Sequence, residues 1–342
     1  MSSLNLKLIL KRGALIAAAN WPTVAIQFVA ETAFQVLVAI PILGAAVLVT
    51  VVVGTDLAEL LQGGLRDMAT RIAGALTSEP IALVSFGVAF AITLGAASVL
   101  MFLTKGGVLD VLLAAEESAG PVEREPISID TIEPAACFTL ERFVSGCGRL
   151  FKPYLALGIA LLVAYALTAA AYVAFAVYGY RVAGALGVVG LTSLAAAAAI
   201  VLIVWITLVN FVYLLMQIAM AADKLGLNDA FRAVAAFIRA EVGLLAKIFF
   251  VTLGIEIGAT LVSALAWSAL GLIAFVPLVG LAVIPLQIVA LAVRGLAFAY
   301  IGLTAASAYL TLYRREPRVL ARSNRSVLAE PLGPPESGSV AG

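Results

Sequence analysis

Three ionisable side chains stand inside stretches that are otherwise apolar: Glu31, Glu256 and Arg294. A charge at the centre of a bilayer costs at least about 2.5–3.5 kcal/mol, so each of these groups needs a partner, a proton or a ligand. Glu256 and Arg294 fall in consecutive apolar stretches that would form a hairpin, and an ion pair between them is the first expectation. Glu31 is the competing partner. Uncharged polar residues extend the pattern. Gln27, Glu31 and Gln35 recur every four positions, Asn210 and Gln217 lie seven apart, and so do Gln287 and Arg294. This spacing gathers polar groups on one helical face, which in lipid must turn toward the interior of a bundle. Two chemistries fit such a face. One is a polar pathway or a site for a headgroup, a proton or a small solute; the other is hydrogen bonding between helices, worth roughly 0.6–2 kcal/mol per contact.

Other chemistries lack their residues. The chain has no histidine, which removes the commonest general base and the commonest transition-metal ligand. Cys137 and Cys147, ten residues apart, match no zinc spacing and read as small hydrophobes. Walker A, GxSxG, HExxH and GxGxxG-after-a-strand motifs are all missing. The acids between Asp110 and Glu141 read as a solvated loop, not a metal site. No enzyme activity, metal or cofactor is expected. The cations are spread over membrane-adjacent segments, so nucleic acid is not an expected partner either.

The elements that must hold these residues follow from composition. Of 342 residues 63% are hydrophobic and 12% charged, whereas soluble domains carry about a quarter charged residues. The expected fold is all-α, a polytopic bundle of six transmembrane helices. Spans are expected at about 23–53, 81–103, 154–177, 186–219, 242–268 and 279–312, within a membrane domain covering 1–326. Pro41, Pro277 and Pro285 interrupt spans or mark their ends, and Lys105-Gly106-Gly107 is expected to close the second. A short helix carrying Leu57, Leu60, Leu61 and Leu65 is expected between the first two spans, and 327–342 is expected to be a disordered tail. Amphipathic runs beginning near Leu4, Ala135 and Asn228 each precede a pair of spans, so the expected plan is a threefold repeat of surface helix plus hairpin.

Charge sets the orientation. Seventeen of the 21 Lys and Arg residues fall on the side that holds both termini, three fall on the other, and Arg294 is intramembrane. By the positive-inside rule both termini are expected in the cytoplasm, with the chain in a bacterial plasma (inner) membrane.

Three stretches, Phe102–Asp110 (FLTKGGVLD), Asn228–Glu241 (NDAFRAVAAFIRAE) and Ala308–Glu316 (AYLTLYRRE), together with the order of elements over about residues 4–318, carry a resemblance. The chain resembles six-helix bacterial and archaeal membrane domains such as the one attached to some glycerophosphodiester phosphodiesterases, and related domains of unknown function. The resemblance implies the six-helix fold. It implies no activity, because the catalytic phosphodiesterase domain of those relatives has no counterpart here.

Two functions are expected. The first is a non-enzymatic membrane protein that organises lipid or partner proteins, or a second copy of itself, through amphipathic helices on its cytoplasmic face. The alternative is a transporter or permease subunit that uses the charged interior of Glu31, Glu256 and Arg294.

Overall fold

The long helices run through most of the boundaries that composition marks out. A computed structural model describes residues 5–53, 80–124, 126, 128–183, 187–274 and 279–315. Its helices are α1 (Leu6–Ala19), α2 (Trp21–Val53), α3 (Pro80–Ser118), the single turn α4 (Ile129–Ile132) with a 3-10 turn after it, α5 (Leu140–Ala183), α6 (Gly187–Asp223), α7 (Leu227–Ala274) and α8 (Val279–Arg315). No strand occurs among the described residues. Helices α2, α3 and α5–α8 are each long and apolar enough to cross a membrane. The chain is an all-α, multi-pass membrane protein. The expected helix around Leu57–Leu65, Pro277 and the tail 327–342 lie outside the described residues.

Length explains how the bundle is built. Helices α3, α5 and α7 contain 39, 44 and 48 residues, whereas a span needs about 20. Each therefore carries a second segment beyond the hydrocarbon. Those surplus segments pack with α1 and with the ends of α6 and α8 into one core, which includes Ile16, Leu112, Tyr154, Ile218, Phe237 and Leu310. Away from this packed end, large apolar side chains such as Ile92, Leu167, Val201, Val262 and Ile288 face outward, as lipid as solvent requires.

Three expectations change. Gly106 and Gly107 do not end a helix; α3 continues through them to Ser118. They are small because α5 lies against them. A Cβ on Gly107 would sit 2.6 Å from the Phe143 ring, and one on Gly106 would sit 3.1 Å from the carbonyl oxygen of Gly146. The amphipathic run 135–151 is likewise not a separate surface helix, since α5 passes from Leu140 through Pro153 into its span. The run 228–241 also joins its span, although Glu241 (φ −122°, ψ 26°) breaks the helix at the expected junction.

Helix α1 is a separate element, but its apolar face is covered by protein. Ile9, Leu15 and Ile16 are buried, and a Cβ on Gly13 would sit 2.6 Å from the carbonyl oxygen of Thr304 on α8. The Tyr300 hydroxyl donates to the Ala14 carbonyl at 3.0 Å. Asn20, fully buried where α1 meets α2, donates to the Ala135 carbonyl (2.7 Å) and accepts from the Cys137 amide (3.0 Å). The linker before α5 is thereby tied to the α1–α2 corner.

Candidate functional site

Four helices converge on a cavity of about 290 Å³ next to the packed end. Helix α2 supplies Gln27 and Glu31, α3 supplies Lys105, α6 supplies Asn210, Tyr213 and Gln217, and α8 closes it with an apolar wall around Phe298 and Gly302. Each helix contributes at a helical period: 27 and 31; 210, 213 and 217; 298, 302 and 306. Four of the eight expected polar residues, Gln27, Glu31, Asn210 and Gln217, are thus brought together.

The hydrogen bonds within the site are incomplete. Gln27 Nε2 donates to Glu31 Oε1 at 2.6 Å. A carboxylate can only accept, so this bond fixes the orientation of the amide. Gln27 Oε1 is left buried without a partner, and so is Gln217 Nε2, which lies beside the Tyr213 hydroxyl but short of hydrogen-bond geometry. Gln27 and Gln217 are 6% and 1% exposed. A buried polar atom without a partner costs about 1–3 kcal/mol, so the site holds its polarity at a cost to stability. The surrounding positions are fixed. Tyr154 donates to the Gln217 carbonyl at 3.0 Å, and Tyr165 donates to Asn210 Oδ1 at 2.7 Å.

Lys105 supplies the positive charge. Its Nζ lies 5.7 Å from the centroid of the Tyr213 ring, within cation–π range. Among the described residues no carboxylate comes within 4 Å of it; Glu31 acts on it from farther away, through the field. Cation and anion therefore share the cavity without closing on each other. Sequence reading missed Lys105, because the two glycines after it look like a stop. The available signal was the apolar periodicity of Val108, Leu109 and Leu112, which continues beyond them.

The other expected residues lie elsewhere. Gln35 is exposed, one turn beyond Glu31, and Gln287 is half-buried outside the cavity. The expected pair does not form: no ion pair joins Glu256 and Arg294. Arg294 is exposed and lies over the Phe298 ring, 5.6 Å from its centroid, on the stripe of α8 that continues as Phe298, Gly302 and Ala306. Phe298, Gly302 and Ala306 of that stripe line the cavity, whereas Arg294, Glu256 and the rest of α7 provide none of its wall. Among the described residues no group of three metal-ligating side chains occurs, and both cysteines are free.

A second charged cluster, at the packed end, takes Glu116 and Glu123 out of the expected solvated acidic loop, whereas Glu117, Asp130, Glu133 and Glu141 are exposed as expected. Arg12 is 4% exposed. Its Nε donates to both carboxylate oxygens of Glu116 (3.0 and 2.8 Å), Nη1 donates to Glu123 (2.8 Å) and to the Gly120 carbonyl, and Nη2 donates to the Glu116 carbonyl (3.0 Å). Gly120, at φ +55°, adopts the left-handed conformation that turns the chain after α3. Thr311 donates to Glu116, Arg315 to Glu123 and Arg314 to Glu117, while Asp110 pairs with Arg149. Burial disfavours the Arg12 cation, but its bonds to Glu116 and Glu123 outweigh this and hold its pKa above the ordinary value. Burial likewise pushes Glu123 upward, but its own backbone amide, Arg12 and Arg315 together hold it below the ordinary carboxylate range.

No family model, curated protein or solved structure matches the chain.

Proposed function

We propose that this membrane protein binds a small polar or amphiphilic ligand in the cavity between α2, α3, α6 and α8, as a transporter or permease subunit does. One observation carries the reading: Gln27 Oε1 and Gln217 Nε2 are buried and unpartnered beside Lys105 and Glu31. Hydrogen-bond glue between helices would pair such atoms with each other; a ligand site leaves them open. The distribution of Lys and Arg supports an orientation with both termini in the cytoplasm of a bacterial inner membrane. No step in this reading requires an enzyme.

The test is native mass spectrometry of the full chain extracted gently from its own membrane. A bound mass that Lys105→Met and Gln217→Leu both remove supports the reading. A chain without adduct, joined to a second protein in fixed ratio, sinks it in favour of scaffolding.

Scaffolding through membrane-proximal helices keeps one observation of its own. Ile129, Leu140 and Val144, around the start of α5, stay 86%, 69% and 59% exposed. The corresponding apolar faces of α1 and of the first part of α7 (Ala230, Val234, Phe237) are buried inside the protein. Among the described residues of these runs, the α5 patch and Phe231 on α7 remain exposed for a partner or for headgroups, and Leu140→Asp with Val144→Asp would release a partner held at the α5 patch.

A further inference from the structure

The polar cavity shares a wall with an apolar groove. Between α5 and α6 run two adjoining grooves of about 650 and 370 Å³, which have Ala164 and Trp205 in common. The smaller is also walled by Tyr213, the residue whose ring lies against Lys105 in the polar cavity. From Tyr213 back to Leu194 the groove follows α6 for nineteen residues, about 29 Å at 1.5 Å per residue, which is close to the thickness of the hydrocarbon core.

Two features separate this groove from an ordinary seam between membrane helices. Its facing walls carry Ala164, Ala171, Ala197 and Ala198. Small residues normally let membrane helices close on each other, yet here they face an open groove. Two polar groups along it also pair with each other, Trp205 Nε1 donating to Thr168 Oγ1 at 2.9 Å. The groove is lined mostly by apolar side chains, whereas the cavity beside it carries charges and two unpartnered amide atoms.

Depth agrees with this division. Between Pro80 and Lys105 α3 has no other charged residue, and these twenty-five steps rise about 37 Å, which carries Lys105 to headgroup level.

Building on the ligand-site reading above, we propose that the site takes one phospholipid with a zwitterionic, amine-bearing headgroup. Its phosphate lies at Lys105 and Gln217 Nε2, its ammonium at Glu31 and Gln27 Oε1, and an acyl chain lies in the α5–α6 groove. Lysine serves as a point charge for phosphate, and Gln217 adds a donor. A purely anionic headgroup would leave Glu31 facing a second negative charge, which selects the zwitterion.

The test titrates the delipidated full-length protein by native mass spectrometry. Its probes are phosphatidylethanolamine, phosphatidylglycerol and free phosphoethanolamine. One phosphatidylethanolamine per chain is expected, held about tenfold more tightly than either competitor, a difference of about 1.4 kcal/mol. Lys105→Met should weaken it by about tenfold or more, and Lys105→Arg should restore most of the loss. Glu31→Gln should abolish the preference over phosphatidylglycerol. Ala164→Phe, which fills the junction of the two grooves, should weaken the lipid and spare the free headgroup. Phosphatidylethanolamine binding unchanged by Lys105→Met would mean annular lipid only and overturn the proposal. Free phosphoethanolamine binding as tightly as the lipid, with Ala164→Phe silent, would overturn the lipid and leave the polar site standing. Binding of no probe, with Gln217→Leu stabilising the protein and no native adduct found, would overturn both.

Discussion

Arg12 and Lys105 are both cations held among acids within one helical bundle, and they are treated in opposite ways. Arg12 is wrapped: five of its bonds reach Glu116 and Glu123 side chains or nearby carbonyls, and those two acids are engaged again by Thr311 and Arg315. Lys105 has an aromatic face and a distant carboxylate, and two amide atoms near it point at nothing. The first cluster has used up its hydrogen-bonding capacity and can only hold structure. The second keeps capacity in reserve, at a cost to stability, and that reserve is what a ligand would use.

Four outcomes test this contrast, the largest first. Arg12→Met should cost roughly 3–5 kcal/mol, because it strands Glu116 and Glu123 in a buried place. Thermal unfolding in detergent would show it, and a loss below about 1 kcal/mol would break the contrast.

Acid should act on the same cluster less abruptly. The folded pKa of Glu123 lies below its unfolded value, so its contribution is complete above the ordinary carboxylate range. It is lost as the pH falls through the depressed folded value. Proteolysis of α1 followed against pH should therefore accelerate only on the acid side, and Glu123→Gln should flatten the profile.

Gln217→Leu removes an unpartnered donor and is expected to leave ligand-free stability unchanged or to raise it by about 1 kcal/mol. A loss of more than about 2 kcal/mol would mean that the amide is structural after all. The smallest effect is expected from Glu256→Gln and Arg294→Gln. Each should change stability by less than about 1 kcal/mol and leave ligand binding as it was, since neither lines the cavity.

The sequence spoke clearly where lipid forces the answer. Six apolar stretches, the interior-facing spacing of Gln27 with Glu31 and the seven-residue step from Asn210 to Gln217 all follow from the cost of polarity in hydrocarbon. It was silent where the answer depends on neighbours far along the chain. Arg12 meets Glu116 and Glu123 across more than a hundred positions, and no local pattern distinguishes those acids from a solvated loop. Glu256 and Arg294 lie near the middle of consecutive spans, but whether two such side chains meet is decided by packing, not by spacing. Lys105 was hidden by its two glycines, which serve the approach of Phe143 and Gly146 instead of ending the helix.

The seat of α1 also has a consequence in time. Its partners at Tyr300 and Thr304 lie almost three hundred residues later. At about 5–20 residues per second, synthesis leaves α1 without its final contacts for roughly 15–60 s. During that wait, the apolar face of α1 that will meet α8 has the membrane surface to rest on. Lys7, Lys11 and Arg12 give the helix a grip on anionic headgroups. Glu116 and Glu123 are made long before the last helix, so Arg12 can find them first and the seat against α8 closes last. The amphipathic pattern of α1 thus suits two successive settings, the membrane surface first and the seat against α8 afterwards.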